Sequence, residues 1–304
     1  MDDPLSLQLP PGLTARPATA ADIPAIVELI AACELEEDGA TEVGEDDVSF
    51  ERHGFDQELN TMLVFDRDEL VAWAELYRRR AEADVRPSHR GRGIGSTLLG
   101  WSEDRGRALA DPDINQTKTD ANAGARDLFL ANGYQLRWVS WMIRIALSET
   151  PPPPELPPGI SIRPFRATDA RDVHRVIDDA FTEWPGRDPE PYEVWASMIA
   201  AHPAFRPELS PLAFDGDELV GVVIVDDYPN ASEGWISQLA TKATHRRRGI
   251  AQALLHTAFG WFRERGRTLA GVSTDSRTTG ALELYEKVGM RVVRQYTRYT
   301  KRLG

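Results

Sequence analysis

The 304-residue chain has a single cysteine, Cys33, so no internal disulfide can brace it. Its six histidines are scattered, and none joins other ligand-type residues at metal-binding spacing, so no metal is expected. Uninterrupted apolar runs fall well short of the ~20 residues that span a bilayer. The opening Met1-Asp2-Asp3 lacks the basic-then-apolar pattern of a secretory signal. Basic residues are outnumbered, 35 Lys and Arg against 48 Asp and Glu, for a formal net charge of −13. That balance argues against general binding to nucleic acid or an anionic membrane. The expectation is a soluble, cytoplasmic protein with no nucleic-acid or membrane partner.

What the chain does have is a duplication, with 41% hydrophobic residues to build two cores. Arg16-Pro17 with Asp22 returns as Arg163-Pro164 with Asp169. Phe65-Asp66 and Asp68-Glu69-Leu70-Val71 return as Phe214-Asp215 and Asp217-Glu218-Leu219-Val220. Trp101 with Arg105-Gly106-Arg107 returns as Trp261 with Arg265-Gly266-Arg267. Between the copies, residues 148–159 carry six prolines, which forbid a helix or central strand and favour a stiff connector. The predicted division is therefore 1–147, a linker at 148–159, and 160–304, each copy about 150 residues and large enough for one core.

Both copies contain an arginine-and-glycine loop between a strand-like run and an apolar-periodic segment. The first reads Arg90-Gly91-Arg92-Gly93-Ile94-Gly95, the second Arg246-Arg247-Arg248-Gly249-Ile250-Ala251. A helix N-terminus leaves amides unpaired and carries partial positive charge, and small residues let a ligand approach the backbone. Such a loop suits a pyrophosphate. It is neither a P-loop nor a dinucleotide fingerprint, since no Gly-Lys-Ser/Thr follows and the glycine spacing differs.

Periodicity predicts, in the first copy, strands at 13–17, 62–65, 71–77, 81–85, 115–119 and 134–145. Helices are predicted at 20–33, 50–59, 93–108 and 123–131. The second copy repeats the order and ends with a strand at 292–300. Strand runs followed by alternating helices and strands indicate an α/β (α+β) domain with a mixed sheet.

This order, together with the Arg-x-x-Gly-x-Gly/Ala loop and the later segment Ala281-Leu282-Glu283-Leu284-Tyr285-Glu286-Lys287-Val288-Gly289, resembles the GNAT superfamily of acetyl-CoA-dependent N-acetyltransferases. Asn122, Ala125, Phe129 and Gly133-Tyr134 stand at the matching stations of the first copy. The resemblance covers both copies, from about residue 13 to 302. It implies two tandem domains, each a mixed, mostly antiparallel sheet flanked by helices. It implies acetyl-CoA as acyl donor, without a metal, and a small-molecule amine as acceptor.

By position, the resemblance assigns coenzyme A binding to Arg246, Arg247, Arg248, Gly249, Ile250 and Ala251, with Leu239, Ala240, Thr241 and Thr278. In the first copy it assigns Val85, Arg90, Gly91, Arg92, Gly93, Ile94, Gly95 and Asn122. Tyr285 falls at the station of a general acid that protonates the departing thiolate; a tyrosine on a helix face can equally be packed. Phe129, in the matching station, has no proton to give, which points to the second copy as the catalytic one. Glu233 is the first candidate for the base, with Asp226 and Asp227 behind it; each can also be a solvated strand-end carboxylate. Trp184, Tyr192 and Asp226 are candidates for acceptor binding, the region 183–195 being rich in aromatics and carboxylates. The acidic tract 34–47 reads as a solvated loop or an attractor of basic substrate. Rival readings remain open: a non-catalytic acyl-CoA-binding or regulatory protein, and an acetyltransferase of protein lysines or N-termini.

Overall fold

A computed structural model describes residues 9–50, 54–184, 187–228, 232–277 and 280–304. The first copy runs β1 (Leu13–Arg16), α1 (Ile23–Asp38), α2 (Gln57–Asn60), β2 (Thr61–Asp66), β3 (Glu69–Tyr77), β4 (Arg80–Val85), α3 (Ile94–Ala108), β5 (Asp113–Thr119), α4 (Ala123–Ala131) and β6 (Gln135–Ala146). The second runs β7 (Ile160–Pro164), α5 (Ala170–Phe181), α6 (Tyr192–Trp195), β8 (Pro211–Asp215), β9 (Glu218–Asp226), β10 (Glu233–Thr241), α7 (Ile250–Glu264), β11 (Leu269–Asp275), α8 (Ala281–Lys287) and β12 (Arg291–Arg302). Each copy is thus a mixed α/β assembly, as the sequence predicts.

Helix α1 forms because Ile26, Leu29 and Cys33 recur at helical spacing and bury one face. It runs beyond the predicted end to Gly39, whose φ of 73° suits the left-handed turn that stops it. The acidic tract is therefore ordered in part. Glu34 accepts from the backbone N–H groups of Glu42 and Val43 at 2.6 and 3.1 Å, and folds the following loop back on the helix. Of the helix predicted at 50–59, residues 51–53 lie outside the described residues, and among the described ones only α2 is helical, started by Asp56, which accepts from the Leu59 N–H at 3.1 Å. Both copies open alike: Arg16 grips Asp22, Arg163 grips Asp169, and each aspartate accepts from a backbone N–H three residues earlier.

The compact units do not end where the repeats end. One comprises residues 1–139 and 296–304, the other 140–295. In the first, strands β1 to β5 lie in order, and Tyr296–Arg302 of β12 pairs antiparallel with β5. In the second, β7 to β11 lie in order, and Ser140–Ala146 of β6 pairs antiparallel with β11. Each unit therefore takes its last strand from the other copy, so the units and the repeats divide the chain at different places. Within each sheet the fourth and fifth strands, β4/β5 and β10/β11, are the parallel pair; the other pairs are antiparallel.

The second unit packs α7 on one sheet face, with Leu254, Ala258, Phe259 and Phe262 wholly buried. On the other face α5 and α6 bury Val173, Val176, Ile177 and Trp195.

Candidate active site

In the second unit β10 and β11 stay paired only from Glu233–Leu269 to Ile236–Val272 and then part. The opening is a cleft of about 1000 Å³. Three sequence-separated regions meet on its wall: Leu239, Ala240 and Thr241 of β10, the loop into α7, and Tyr285 of α8. Beyond Ile236 the edge of β10 that faces the gap has no strand partner, which leaves backbone donors and acceptors for a ligand. Among the described residues Thr241 Oγ1 is buried there without a hydrogen-bond partner.

The loop ends in Gly249, whose φ of 84° caps α7 in a conformation that L side chains rarely adopt. The first intrahelical bond comes from the Ala253 N–H to Gly249 O, so the amides of Ile250, Ala251 and Gln252 lack helical acceptors. The three arginines divide their work. Arg246 is held by Glu183 at 2.7 and 2.9 Å and donates to Thr241 O at 3.2 Å. Arg248 turns away to Asp215 at 3.3 Å and does not line the cleft. Arg247 lines it, and among the described residues its guanidinium has no partner. Its φ of 58° is strained for a residue with a Cβ. Free cation, unpaired amides and an orphaned hydroxyl fit an anionic ligand with a hydrogen-bonding tail.

Tyr285 is buried among Leu254, Leu255, Val288 and Met290, with its ring also on the cleft. Burial raises its pKa, so the phenol keeps its proton at any working pH. Trp184 lines the cleft too, stacked on Phe181 with ring centroids 4.4 Å apart, while Arg187 lies 4.9 Å over the Phe181 ring.

Other sequence candidates fall elsewhere. Glu233 begins β10 where the strands are still joined, and Arg144 of β6 grips both its oxygens at 2.8 and 2.9 Å. It braces the exchanged strand and does not line the cleft. Asp227 is buried and held by Arg267 at 2.7 and 2.9 Å. Tyr192 packs against His174 and Trp195 under Arg171 and stays off the cleft. Asp226 ends β9, where it accepts a short hydrogen bond from Ser237. Ser237 and Gln238 line the cleft although the sequence reading passed over them; a strand side chain gives no sign in sequence of the bulge that turns it. Thr278 lies outside the described residues.

The first unit has a smaller cleft of about 520 Å³ at the matching place. Val85, Arg90, Gly91, Gly93, Ile94, Gly95 and Asn122 line it; Arg92 pairs with Asp66 at 3.1 Å instead. The interior differs in chemistry. Lys118 of β5 bridges to Asp84 of β4 across the parting strands. Glu37 accepts from Arg90 at 2.5 Å and from Asn122 at 2.6 Å. Burial opposes the Lys118 charge, but Asp84 and Glu37 outweigh it and raise its pKa, so the amine stays protonated. Cys33 is buried beside these groups, its thiol pushed up to about 11, first by burial and then by Asp84. Neither is a nucleophile in this state. Ala240 and Thr274 occupy the two bridging stations of the second unit. Phe129 takes the station of Tyr285 and packs on Tyr134 and Tyr299.

Among the described residues no helix is long and apolar enough to cross a membrane, and no group of His, Cys, Asp and Glu could hold a metal.

Similarities to known proteins bear on this geometry. A GCN5-related N-acetyltransferase from Sphaerobacter thermophilus superposes with a TM-score of 0.84 over 97% of both chains, at 32% identity. A mycothiol acetyltransferase from Thermobispora bispora is 27% identical over 301 residues, covering 93% of this chain and 95% of its own. A tandem GNAT protein from the clavulanic acid biosynthesis pathway shares the fold, with a TM-score of 0.72 at 15% identity over 96% of this chain and 99% of that one. The profile of the Acetyltransferase (GNAT) family matches residues 23–134 and again 171–290, once in each copy. The chain is therefore an acyltransferase belonging to the GNAT family, in tandem form.

Proposed function

We propose that the second unit transfers acetyl from acetyl-CoA to the primary amine of a small molecule, by direct attack while donor and acceptor are both bound. The observation that carries this reading is the meeting of three features in one cleft: the parted edge of β10, the loop opening α7, and the protonated Tyr285. Arg247 and the first amides of α7 hold the donor's pyrophosphate. The free backbone edge at Leu239 to Thr241 takes up the pantetheine arm and stabilises negative charge on the thioester oxygen. Tyr285 protonates the leaving sulfur. The thioester arrives already activated, so no covalent enzyme intermediate is required. The first unit keeps the loop but carries Phe129 and a charge bridge where the chemistry would occur. It serves in coenzyme A binding or in support of the fold.

Free coenzyme A release from acetyl-CoA, measured with the purified protein across a panel of small amines and peptides, tests the reading. A mycothiol-related amine heads the panel, since relatives carry that name. Release with a small amine is the expected result. Release with peptides alone moves the acceptor to proteins, and none with any acceptor leaves an acyl-CoA-binding protein.

A further inference from the structure

With Glu233 locked to Arg144, a proton acceptor has to be sought elsewhere on the cleft wall. The bulge in β10 marks the place. Ile236 faces Val225 of β9 and Gln238 faces Ile224, so Ser237 is the residue that the register skips. A bulge re-aims one side chain and recurs beside active sites. Here it sets Ser237 on the cleft wall at the step where β10 leaves β11. The Ser237 hydroxyl donates to Asp226 Oδ2. Asp226 is half-buried, and among the described residues no cation neutralises its carboxylate, in contrast to Asp227 beside it. The neighbouring wall is fixed: Gln238 Oε1 accepts from Trp195 Nε1 at 3.0 Å. The first unit lacks the device. There β4 runs against β3 without a bulge from Arg80 to Val85, and β3 ends in Tyr77 where β9 ends in Asp226.

We propose that Ser237 and Asp226 form the proton-accepting pair of the acetyl transfer, an inference that rests on the acetyltransferase reading above. As the amine nitrogen bonds to the thioester carbon, it must lose a proton. Ser237 Oγ takes that proton and passes its own to Asp226 Oδ2. The carbon–sulfur bond breaks, the electron pair leaves with sulfur, and Tyr285 supplies the sulfur's proton. Asp226 then gives its proton to solvent and Tyr285 regains one, so the products are the amide and the free thiol. Ser237 is the group that meets the amine; Asp226 acts through it.

The test uses the full chain with an amine that releases coenzyme A. Ser237→Ala and Asp226→Asn should each lower kcat by about 10²- to 10³-fold, the range of a lost general base. Acetyl-CoA affinity by calorimetry should stay within about twofold, since neither group touches the donor's pyrophosphate site. Ser237→Thr, which keeps a hydroxyl, should recover at least about tenfold over Ser237→Ala, whereas a purely structural role would not distinguish the two. Full kcat in either deletion variant overturns the pair. So does a loss of kcat that comes with an equal loss of acetyl-CoA affinity. An enzyme silent toward every amine removes the acetyltransferase reading and the pair with it; an active enzyme indifferent to both substitutions removes the pair alone.

Discussion

Replacing Tyr285 by phenylalanine deletes one oxygen and nothing else, and the structure separates its effect on stability from its effect on catalysis. The ring is 5% exposed and packed in the α7 core, so Phe keeps its contacts. The ring also borders the cleft, and its hydroxyl is not one of the buried side-chain atoms left without a hydrogen-bond partner among the described residues. Removing it should therefore change stability by no more than about 0.5 kcal/mol, within roughly 2 °C in Tm at this size. The reaction loses its acid. A general acid contributes about 10²- to 10⁴-fold, which is about 2.7–5.4 kcal/mol of barrier at ~1.36 kcal/mol per decade. Differential scanning fluorimetry reads the first effect and steady-state coenzyme A release the second, with calorimetry checking that acetyl-CoA still binds. Full kcat in Tyr285→Phe would refute the acid assignment. A fall in kcat matched by a fall in Tm would reduce Tyr285 to a packing residue.

Three further outcomes are expected. The repeat 160–304 alone should not fold cooperatively: it lacks Ile143, Ile145 and Leu147, all buried in the second unit, at ~1.5–3 kcal/mol each. That loss rivals the whole stability of a domain, ~5–15 kcal/mol, whereas a fragment 140–295 should give a sigmoidal urea transition; the reverse ranking would show that the exchanged strand is dispensable. Arg247→Gly removes the positive-φ strain, ~1–2 kcal/mol offset by ~0.5–1 kcal/mol of added chain entropy, so Tm should hold or rise by about 1–2 °C while acetyl-CoA binds about tenfold more weakly by calorimetry; unchanged affinity would take the pyrophosphate off this loop. Hydrogen bonds from Arg16 and Arg163 hold the Asp22 and Asp169 carboxyls below their ordinary range. Their contribution is therefore full above about pH 4 and lost as pH falls through the lowered values, so the Tm deficit of Asp22→Asn with Asp169→Asn should shrink as pH drops from 7 toward 3, and a deficit that grows would reverse the sign.

The features written in local order were legible in the sequence. Gly249 after a strand and before an apolar period announces a helix start whatever surrounds it, and the double occurrence of Arg-Gly loops fixed two clefts. Tyr285 stands out by its station, and the structure sets it on the cleft wall, while Phe129 packs on Tyr134 and Tyr299. What the sequence hid depends on residues far apart. Nothing near Glu233 indicates that Arg144, 89 residues earlier, reaches it. The strand pattern of 134–145 looks the same whichever sheet it joins, so the exchange of last strands could not be read. Arg246, Arg247 and Arg248 look alike in sequence, but one turns to Glu183, one has no partner among the described residues and one turns to Asp215. Ser237 is an ordinary strand residue until the register beside it slips.

The exchange also sets a timetable. The partner of β11 is β6, made well before β11 itself. The partner of β5 is the end of β12, made long after β5 itself. At roughly 5–20 residues per second, β5 waits several seconds to half a minute with one edge open, during which a stranger's strand could pair with it. The two strands are composed accordingly. β11 begins Leu269-Ala270-Gly271-Val272, apolar and ready for a neighbour already present. β5 reads Asp113-Ile114-Asn115-Gln116-Thr117-Lys118-Thr119, with charge or polarity at every position but one. The polar strand is the one that must stay soluble until its partner is made.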